Sequence, residues 1–501
     1  MNQHARSLVF VASAVAICTP CVRAQDIAQI SALVATRHEI KIFGNTLRYT
    51  AHAGTLPIRD NSAGDVHGNM FFVAYTLDRR AGQPTRPLTF LWNGGPGSNS
   101  GLVHLLGFGP RRVAIVDSSP GARPAVIDNE GTWLEHSDLV FVDPIGTGYS
   151  RPTKPEYAAE FYQSAGDAES VAEFIRVFRT RFDQFDAPLF IMGESYGVTR
   201  AALVSEALER RGTKLAGVIM LGLALPLGES TPAMRVVLGL PTFTAAAYAN
   251  NKLPAELQGD LAAALRASEQ WALDIYAPAY ARRDSLNDSE RFDIVSWLSR
   301  FTGLAASDIN RQTLRVTMEQ HTTALLASTQ RVVGRYDSRM SAPVVPAQGP
   351  YDPTKDPSLK DILDATTVLR YLRNTLEYRS DLFYQGPFGG GYPAPAAFRG
   401  DWMSVLWNRT VPTNTNALRT AMTTNPSLEV FIACGYFDMV CDYFGNEYQA
   451  KQLPPDLGKR VEAHSYGGGH ATYTDDAARL AMKRDVAAFV TRLVAESGVR
   501  K

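Results

Sequence analysis

The residues best placed to do chemistry sit in Gly193-Glu194-Ser195-Tyr196-Gly197, directly after the apolar run Leu189 to Met192 and before a helical stretch. A serine hydroxyl becomes a nucleophile when a sharp strand-to-helix turn lifts it clear of the sheet. Side chains two residues to either side would collide in such a turn, so glycine is needed at both places. The serine also needs an imidazole to take its proton and an acid to orient that imidazole, in the chain order Ser, acid, His. Downstream of Ser195 the histidines are His321, His464 and His470. His321 lies in a helical pattern and His464 inside the strand-like "RVEAHSY". His470 follows Tyr466-Gly467-Gly468-Gly469, a flexible loop past that strand, where a base is wanted. For the acid, Asp438 lies three residues after Gly435 on the first turn beyond an apolar run, with Asp442 as its competitor.

These residues need a scaffold, and the apolar patterning describes one. Glu39 to Asp78 alternates polar and apolar residues, as antiparallel strands do. Short runs that are apolar throughout then end in glycine-rich or acidic turns. Pro87 to Trp92 runs into Asn93-Gly94-Gly95-Pro96-Gly97, and Leu139 to Val142 into Asp143-Pro144-Ile145-Gly146-Thr147-Gly148. Leu189 to Met192, Leu215 to Leu221 and Leu428 to Ala433 end likewise. Helical patterns at Ala165 to Phe182 and Thr199 to Arg211 separate several of them. Strands apolar on both faces and separated by helices predict an α/β fold of the α/β-hydrolase kind, a mainly parallel sheet flanked by helices. Chemistry then gathers beyond the carboxyl ends of the strands. Residues 226–400 differ, with helical periodicity at Ala255 to Ala281 and Ser358 to Tyr378 and Pro/Gly-rich breaks. They read as a mostly helical cap inserted between the two parts of the core, 25–225 and 401–501. A last helix is expected from about Asp475 to Ala495.

Composition narrows the classes of function. Of 501 residues 45% are hydrophobic and 20% charged, which excludes a wholly disordered chain. Lys plus Arg and Asp plus Glu both number 50, so the balance gives no electrostatic pull toward nucleic acid or an anionic membrane. His4 and Arg6, the apolar run Leu8 to Ile17 and Val22-Arg23-Ala24 resemble a signal peptide over residues 1–24. That predicts export, periplasmic or secreted, and a mature chain without a membrane span. Cleavage removes Cys18 and Cys21, leaving Cys434 and Cys441, which can pair in an oxidising compartment or stay as free thiols. No metal site or cofactor is expected: there is no H-E-x-x-H, "GGPGS" lacks the lysine of a phosphate loop, and no G-x-G-x-x-G follows a strand.

Several blocks together resemble the serine carboxypeptidases, peptidase family S10. "FLWNGGPGSNS", "FVDPIGTGYS", "GESYG", "GYFDMV" and "GGGH" fall in that family's order between Leu91 and His470. The resemblance implies Ser195 as nucleophile, His470 as base and Asp438 as its partner. It places the backbone N–H groups of Gly95 and Tyr196 in an oxyanion hole. It makes Asn93 and Glu194 the binders of a substrate's terminal carboxylate, and Glu194 is the residue that points to carboxypeptidase chemistry. The implied partner is a peptide with a free C-terminus. Two departures stand out. Ser98 replaces the cysteine usual in the first block, which suits a bacterial-type member. Gly107 stands in "GFGP" where the family usually carries a second glutamate. Arg111 and Arg112 follow, as a counter-charge or as ordinary surface arginines. The loss at Gly107 leaves C-terminal specificity open, and an acyltransferase or esterase on the same scaffold is the alternative, since an acyl-enzyme can pass to an alcohol.

Overall fold

The computed structural model describes residues 33–79, 82–114, 124–222, 231–345, 355–359, 362, 365–386 and 412–499. The expected leader, 1–24, and both boundaries of the expected cap lie outside these residues.

In chain order the strands are β1 (Val34–Ile42), β2 (Asn45–Arg59), β3 (Val66–Leu77), β4 (Leu88–Trp92), β5 (Arg111–Ala114), β6 (Ala125–Asp128) and β7 (Asp138–Asp143). They continue with β8 (Arg151–Pro152), β9 (Leu189–Glu194), β10 (Gly217–Leu221), β11 (Arg331–Val333), β12 (Ser341–Pro343), β13 (Glu429–Gly435) and β14 (Val461–Tyr466). The main sheet runs β1-β2-β3-β7-β4-β9-β10-β13-β14, with β8 also paired to β3. From β7 to β14 every pairing is parallel, whereas β1, β2 and β3 form an antiparallel flank. This is the mainly parallel sheet of an α/β-hydrolase.

Period-2 alternation divides each central strand between two cores. Phe90, Trp92, Ile191, Val218, Met220 and Ile432 face one side, against Val171, Phe174 and Phe178 of helix Ser164–Arg181 and Val198, Ala201 and Val204 of helix Tyr196–Arg210. Leu91, Phe190, Met192, Ile219 and Phe431 face the other, against Met482, Val486 and Phe489 of helix Asp476–Val499. Each such side chain contributes about 1.5–3 kcal/mol on burial. β1 alternates half-buried and exposed residues over most of its length, as a strand with one solvated face does, and β2 alternates buried and half-buried ones.

Between β10 and β13 the described residues form helices, among them Leu240–Ala249, Leu261–Trp271, Asp288–Thr302 and Met318–Ala324, and the hairpin β11–β12. They pack on a core of their own, which includes Trp271, Leu298, Phe301 and Leu314 and which also takes in Met439. Of the helix expected over Ser358 to Tyr378, the described residues are helical from Ala365. Ala365–Arg370 is α-helical and Tyr371–Thr375 makes one π-turn. Ahead of it, Asp356 accepts from the Ser358 amide and hydroxyl and from the Arg335 amide, a side-chain turn that competes with helix.

Candidate active site

Strand β9 delivers Ser195 at the entry to helix Tyr196–Arg210 with φ 57° and ψ −128°. A non-glycine residue at positive φ is strained, and it persists where the surroundings over-determine it. Here they do. A Cβ on Gly193 would lie 1.9 Å from the Gly197 carbonyl oxygen, and one on Gly197 would lie 2.9 Å from the Trp92 ring. Both flanking glycines are therefore sterically required. The Trp92 indole adds a hydrogen bond to Gly197 O at 2.9 Å, and the Ser195 amide donates to Leu221 O at 2.9 Å.

The loop after β4 lies against this elbow. A Cβ on Gly94 would stand 2.5 Å from the Tyr196 nitrogen, which sets the loop carrying Gly95 beside the Tyr196 amide. Gly95 and Ser195 are each half-buried between buried neighbours, so both reach the surface of the site.

Asp438 and His470 come together from the loops after β13 and β14. Asp438 Oδ2 and His470 Nδ1 are 2.7 Å apart, and Asp438 is fully buried. Its Oδ1 accepts from the Val440 amide at 2.8 Å. The other imidazole nitrogen, Nε2, is buried without a hydrogen-bond partner, so Ser195 Oγ and His470 are not joined. Catalytic hydrogen bonds of this kind tighten when substrate arrives. Asp442 is occupied differently: it caps helix Tyr443–Gln452 through the Gly445 amide at 3.1 Å. His321 is buried against Thr302 O and stacks on Phe243, and His464 sits by Glu462 on β14.

Burial raises the Asp438 carboxyl above the usual aspartate range, although the His470 ring and nearby amides oppose the shift. Burial pulls His470 down, but the Asp438 and Glu194 carboxylates outweigh it and leave the imidazole above its ordinary value.

Glu194 is 2% exposed, and the Asn93 amide donates to its Oε2. Tyr473 OH lies 3.0 Å from both carboxyl oxygens. Burial pushes Glu194 up to about 7, against the pull of His470 and Tyr473. Asn93 Oδ1 accepts from the Val103 amide at 3.2 Å, which fixes the amide's orientation. Gly107 lies in the π-turn Val103–Phe108 and brings no side chain to Glu194. Arg111 and Arg112 pair instead with Asp128 and Asp476.

Three contributors escape a reading of the sequence. Tyr473 lies three residues past His470, and that spacing is its one signal. Arg200 is fully buried on the elbow helix, donating to Asp167 Oδ2 and to Asn93 O, each at 2.8 Å. Its spacing of four from Tyr196 places both on one helix face, and Tyr196 OH reaches the same Asp167 oxygen at 3.2 Å. The third is the segment Arg335 to Arg339, before β12. Tyr336 O accepts from the His470 amide at 2.5 Å, Arg335 O from the Met439 amide at 3.0 Å, and the Ser338 amide donates to Phe437 O at 2.9 Å. Arg339 pairs with Asp337 and Asp475 and donates to Gly467 O at 3.0 Å. No local pattern announces this segment.

Cys434 and Cys441 are joined as a disulfide with Cα atoms 6.1 Å apart, enclosing Asp438 in the loop between them. Among the described residues no three His, Cys, Asp or Glu side chains cluster as a metal site requires, and no helix is long and apolar enough to cross a membrane.

Comparison with known proteins adds the chain's relatives. A pheromone-processing carboxypeptidase KEX1 of Fusarium vanettenii is 30% identical over 166 residues, 32% of this chain and 24% of the relative. That of Yarrowia lipolytica is 32% identical over 189 residues, 37% of this chain and 28% of the relative. The matched regions thus span about a quarter of these fungal relatives' length. The crystal structure of KEX1(delta)p, a prohormone-processing carboxypeptidase from Saccharomyces cerevisiae, superposes with a TM-score of 0.53 at 16% identity, covering 88% of this chain and 91% of that one; the likeness is one of fold. The family Peptidase_S10, serine carboxypeptidase, matches residues 44–372, which include Asn93, Gly95, Glu194, Ser195 and Tyr196 and end before Asp438 and His470. With that match spanning more than half of its length, the chain belongs to the serine carboxypeptidase family.

Proposed function

We propose that this chain is an exported serine carboxypeptidase that releases C-terminal residues from peptides through an acyl-enzyme on Ser195. The observation that carries the reading is Glu194: a carboxyl one residue from the nucleophile, buried, held by Asn93 and raised to about 7. An ionised Glu194 repels a substrate carboxylate, whereas a protonated one donates a hydrogen bond to it. Such a group has no use in cleaving a neutral ester.

In the proposed mechanism, neutral His470 takes the Ser195 proton through Nε2 as Oγ attacks the scissile carbonyl. Asp438 holds the imidazole by Nδ1 and stabilises the cation that forms. The amides of Gly95 and Tyr196 receive the developing oxyanion, a stabilisation aimed at the transition state. His470 then protonates the leaving amine, and water repeats the sequence on the acyl-enzyme. Residues 226–400 act as a cap over this site in the same reading. Export rests on the leader-like residues 1–24. The bacterial-type reading rests on Ser98; the relatives named above are fungal and do not support it.

The test compares a peptide with its C-terminal amide. Charge-assisted hydrogen bonds contribute about 1.5–3 kcal/mol, so Glu194→Ala, which removes the donor, should lower kcat/KM for the free acid about 10- to 100-fold relative to the amide. For the free acid, kcat/KM should fall as pH rises through the Glu194 value of about 7, because the ionised form rejects the substrate. The amide should show no such fall. Equal cleavage of acid and amide at every pH would instead favour an esterase or acyltransferase, a reading to which Gly107 already lends some weight.

A further inference from the structure

A carboxyl that must be neutral to receive an anion depends on whatever decides how readily it takes up a proton. Glu194 is faced from several elements. The loop after β14 brings His470 and Tyr473, and the loop after β13 brings Asp438. The loop after β4 brings Asn93, whose carbonyl oxygen is held by Arg200 of the elbow helix. A protonated His470 favours the ionised carboxylate, and Asp438 favours the neutral acid. Among the described residues, the side chains in hydrogen-bond contact with Glu194 are Asn93 and Tyr473.

Tyr473 has little freedom there. It is fully buried in the turn Thr472–Thr474, with Phe108 set edge-on at 5.2 Å. Across from it, a Cβ on Gly107 would stand 3.4 Å from Cγ and Cδ2 of the Tyr473 ring. The ring therefore lies along the side of Gly107 from which a side chain would grow. Its hydroxyl is left equidistant from the two Glu194 oxygens, at 3.0 Å from each. A hydroxyl that donates to a carboxylate makes a stronger bond than one shared with a neutral acid, so it favours the ionised form.

We propose that Tyr473 is a specificity-determining residue: its ring takes the room that Gly107 leaves, and its hydroxyl, donated to Glu194, sets the highest pH at which a substrate's C-terminal carboxylate is accepted. The proposal rests on the reading of Glu194 as the carboxylate acceptor. Tyrosine is suited to this place because it can hold Glu194 without carrying a charge of its own.

The experiment measures kcat/KM against pH for a peptide and its C-terminal amide, in wild type, Tyr473→Phe, Glu194→Gln and a protein carrying 3-fluorotyrosine at 473. Phenylalanine keeps the ring against Gly107 and removes the donor. The descending limb of the free-acid profile should move to higher pH by about half to one unit, one bond's share of the roughly two units that two or three such bonds produce. Fluorotyrosine donates more strongly and should move the limb the other way. The amide profile, whatever its height, should have no descending limb in any of the four. A free-acid limb that stays in place in both Tyr473 variants while Glu194→Gln removes it makes Tyr473 a packing residue and overturns the proposal. Should Tyr473→Phe fail to fold, the fluorotyrosine protein decides alone, since its packing is nearly unchanged. A limb that survives Glu194→Gln removes the reading beneath the proposal as well, an outcome separate from the failure of Tyr473 alone.

Discussion

The two halves of the site are built in different ways. The elbow half, Asn93 to Gly97 with Gly193 to Gly197, is held by adjacent parallel strands and by steric exclusion. Strands β4 and β9 are paired, and the elbow glycines are pressed against backbone and the Trp92 ring. The acid–base half, Asp438 and His470, sits on two loops beyond β13 and β14 that are braced by a third segment more than 90 residues away in sequence. Backbone groups of Arg335, Tyr336 and Ser338 bond to both loops, and Met439 packs into the core of the inserted helices. One half is a property of the sheet; the other depends on the insert. A serine fixed by sterics tolerates little change of sequence, whereas an imidazole fixed by a distant brace can be adjusted, or disturbed, from outside the sheet.

The largest effects should come from breaking each half at its reacting residue. Ser195→Ala should abolish covalent labelling by a fluorophosphonate and cost about a millionfold in kcat. Asp438→Asn should cost about ten-thousandfold, because asparagine presents the wrong partner to the imidazole. Asp442→Asn should keep activity within a few-fold, since this residue caps a helix. Near-wild-type kinetics in Asp438→Asn with an inactive Asp442→Asn would transfer the role of acid to Asp442.

A smaller effect should couple the halves. The Glu194 carboxylate helps hold His470 above its ordinary value. A histidine raised in this way loses its function as a base when pH falls through that raised value. Glu194→Gln removes a negative charge, so the imidazole should titrate lower and the ascending limb for the amide substrate should shift toward acid pH. In the wild type the free-acid profile should be a bell, its ascending limb set by His470, held above its ordinary value, and its descending limb by Glu194. An ascending limb that is unmoved by Glu194→Gln would show that the two halves titrate independently.

The contrast also explains what the sequence discloses. The elbow is legible because its causes are local: a serine needing positive φ and two glycines within two residues of it. The antiparallel flank is legible because β1 and β2 alternate with a period of two. His470 can be found because few histidines follow Ser195 and one of them stands past a strand. Tyr473, Tyr336 and Arg339 are not legible in this way. Their importance lies in contacts between segments far apart in the chain, and a tyrosine three residues past a histidine has no local signature. Of the helix expected over Ser358 to Tyr378, the described residues form only the part from Ala365 onward, for a related reason. Asp356 bonds the backbone of Arg335, a partner that local periodicity does not register.

The smallest expected effect concerns the Cys434–Cys441 disulfide, which belongs to the acid–base half alone. Its loop spans a separation of seven residues, so the chain-entropy contribution to stability is about 2 kcal/mol. Its local effect falls on Asp438, because the Cys441 amide and the Val440 amide both bond to that carboxylate. Freeing Cys441 would loosen one of them and let the carboxylate drift from His470 Nδ1. The double variant Cys434→Ser, Cys441→Ser should therefore lower kcat a few-fold and leave KM nearly unchanged, since Asn93 and Glu194 lie in the other half. Peptide mapping without reductant should find the two cysteines paired in protein purified from an oxidising compartment. Free thiols there, or a double variant that raises KM while keeping kcat, would show that the disulfide does not serve Asp438 and that the division between the halves is drawn in the wrong place.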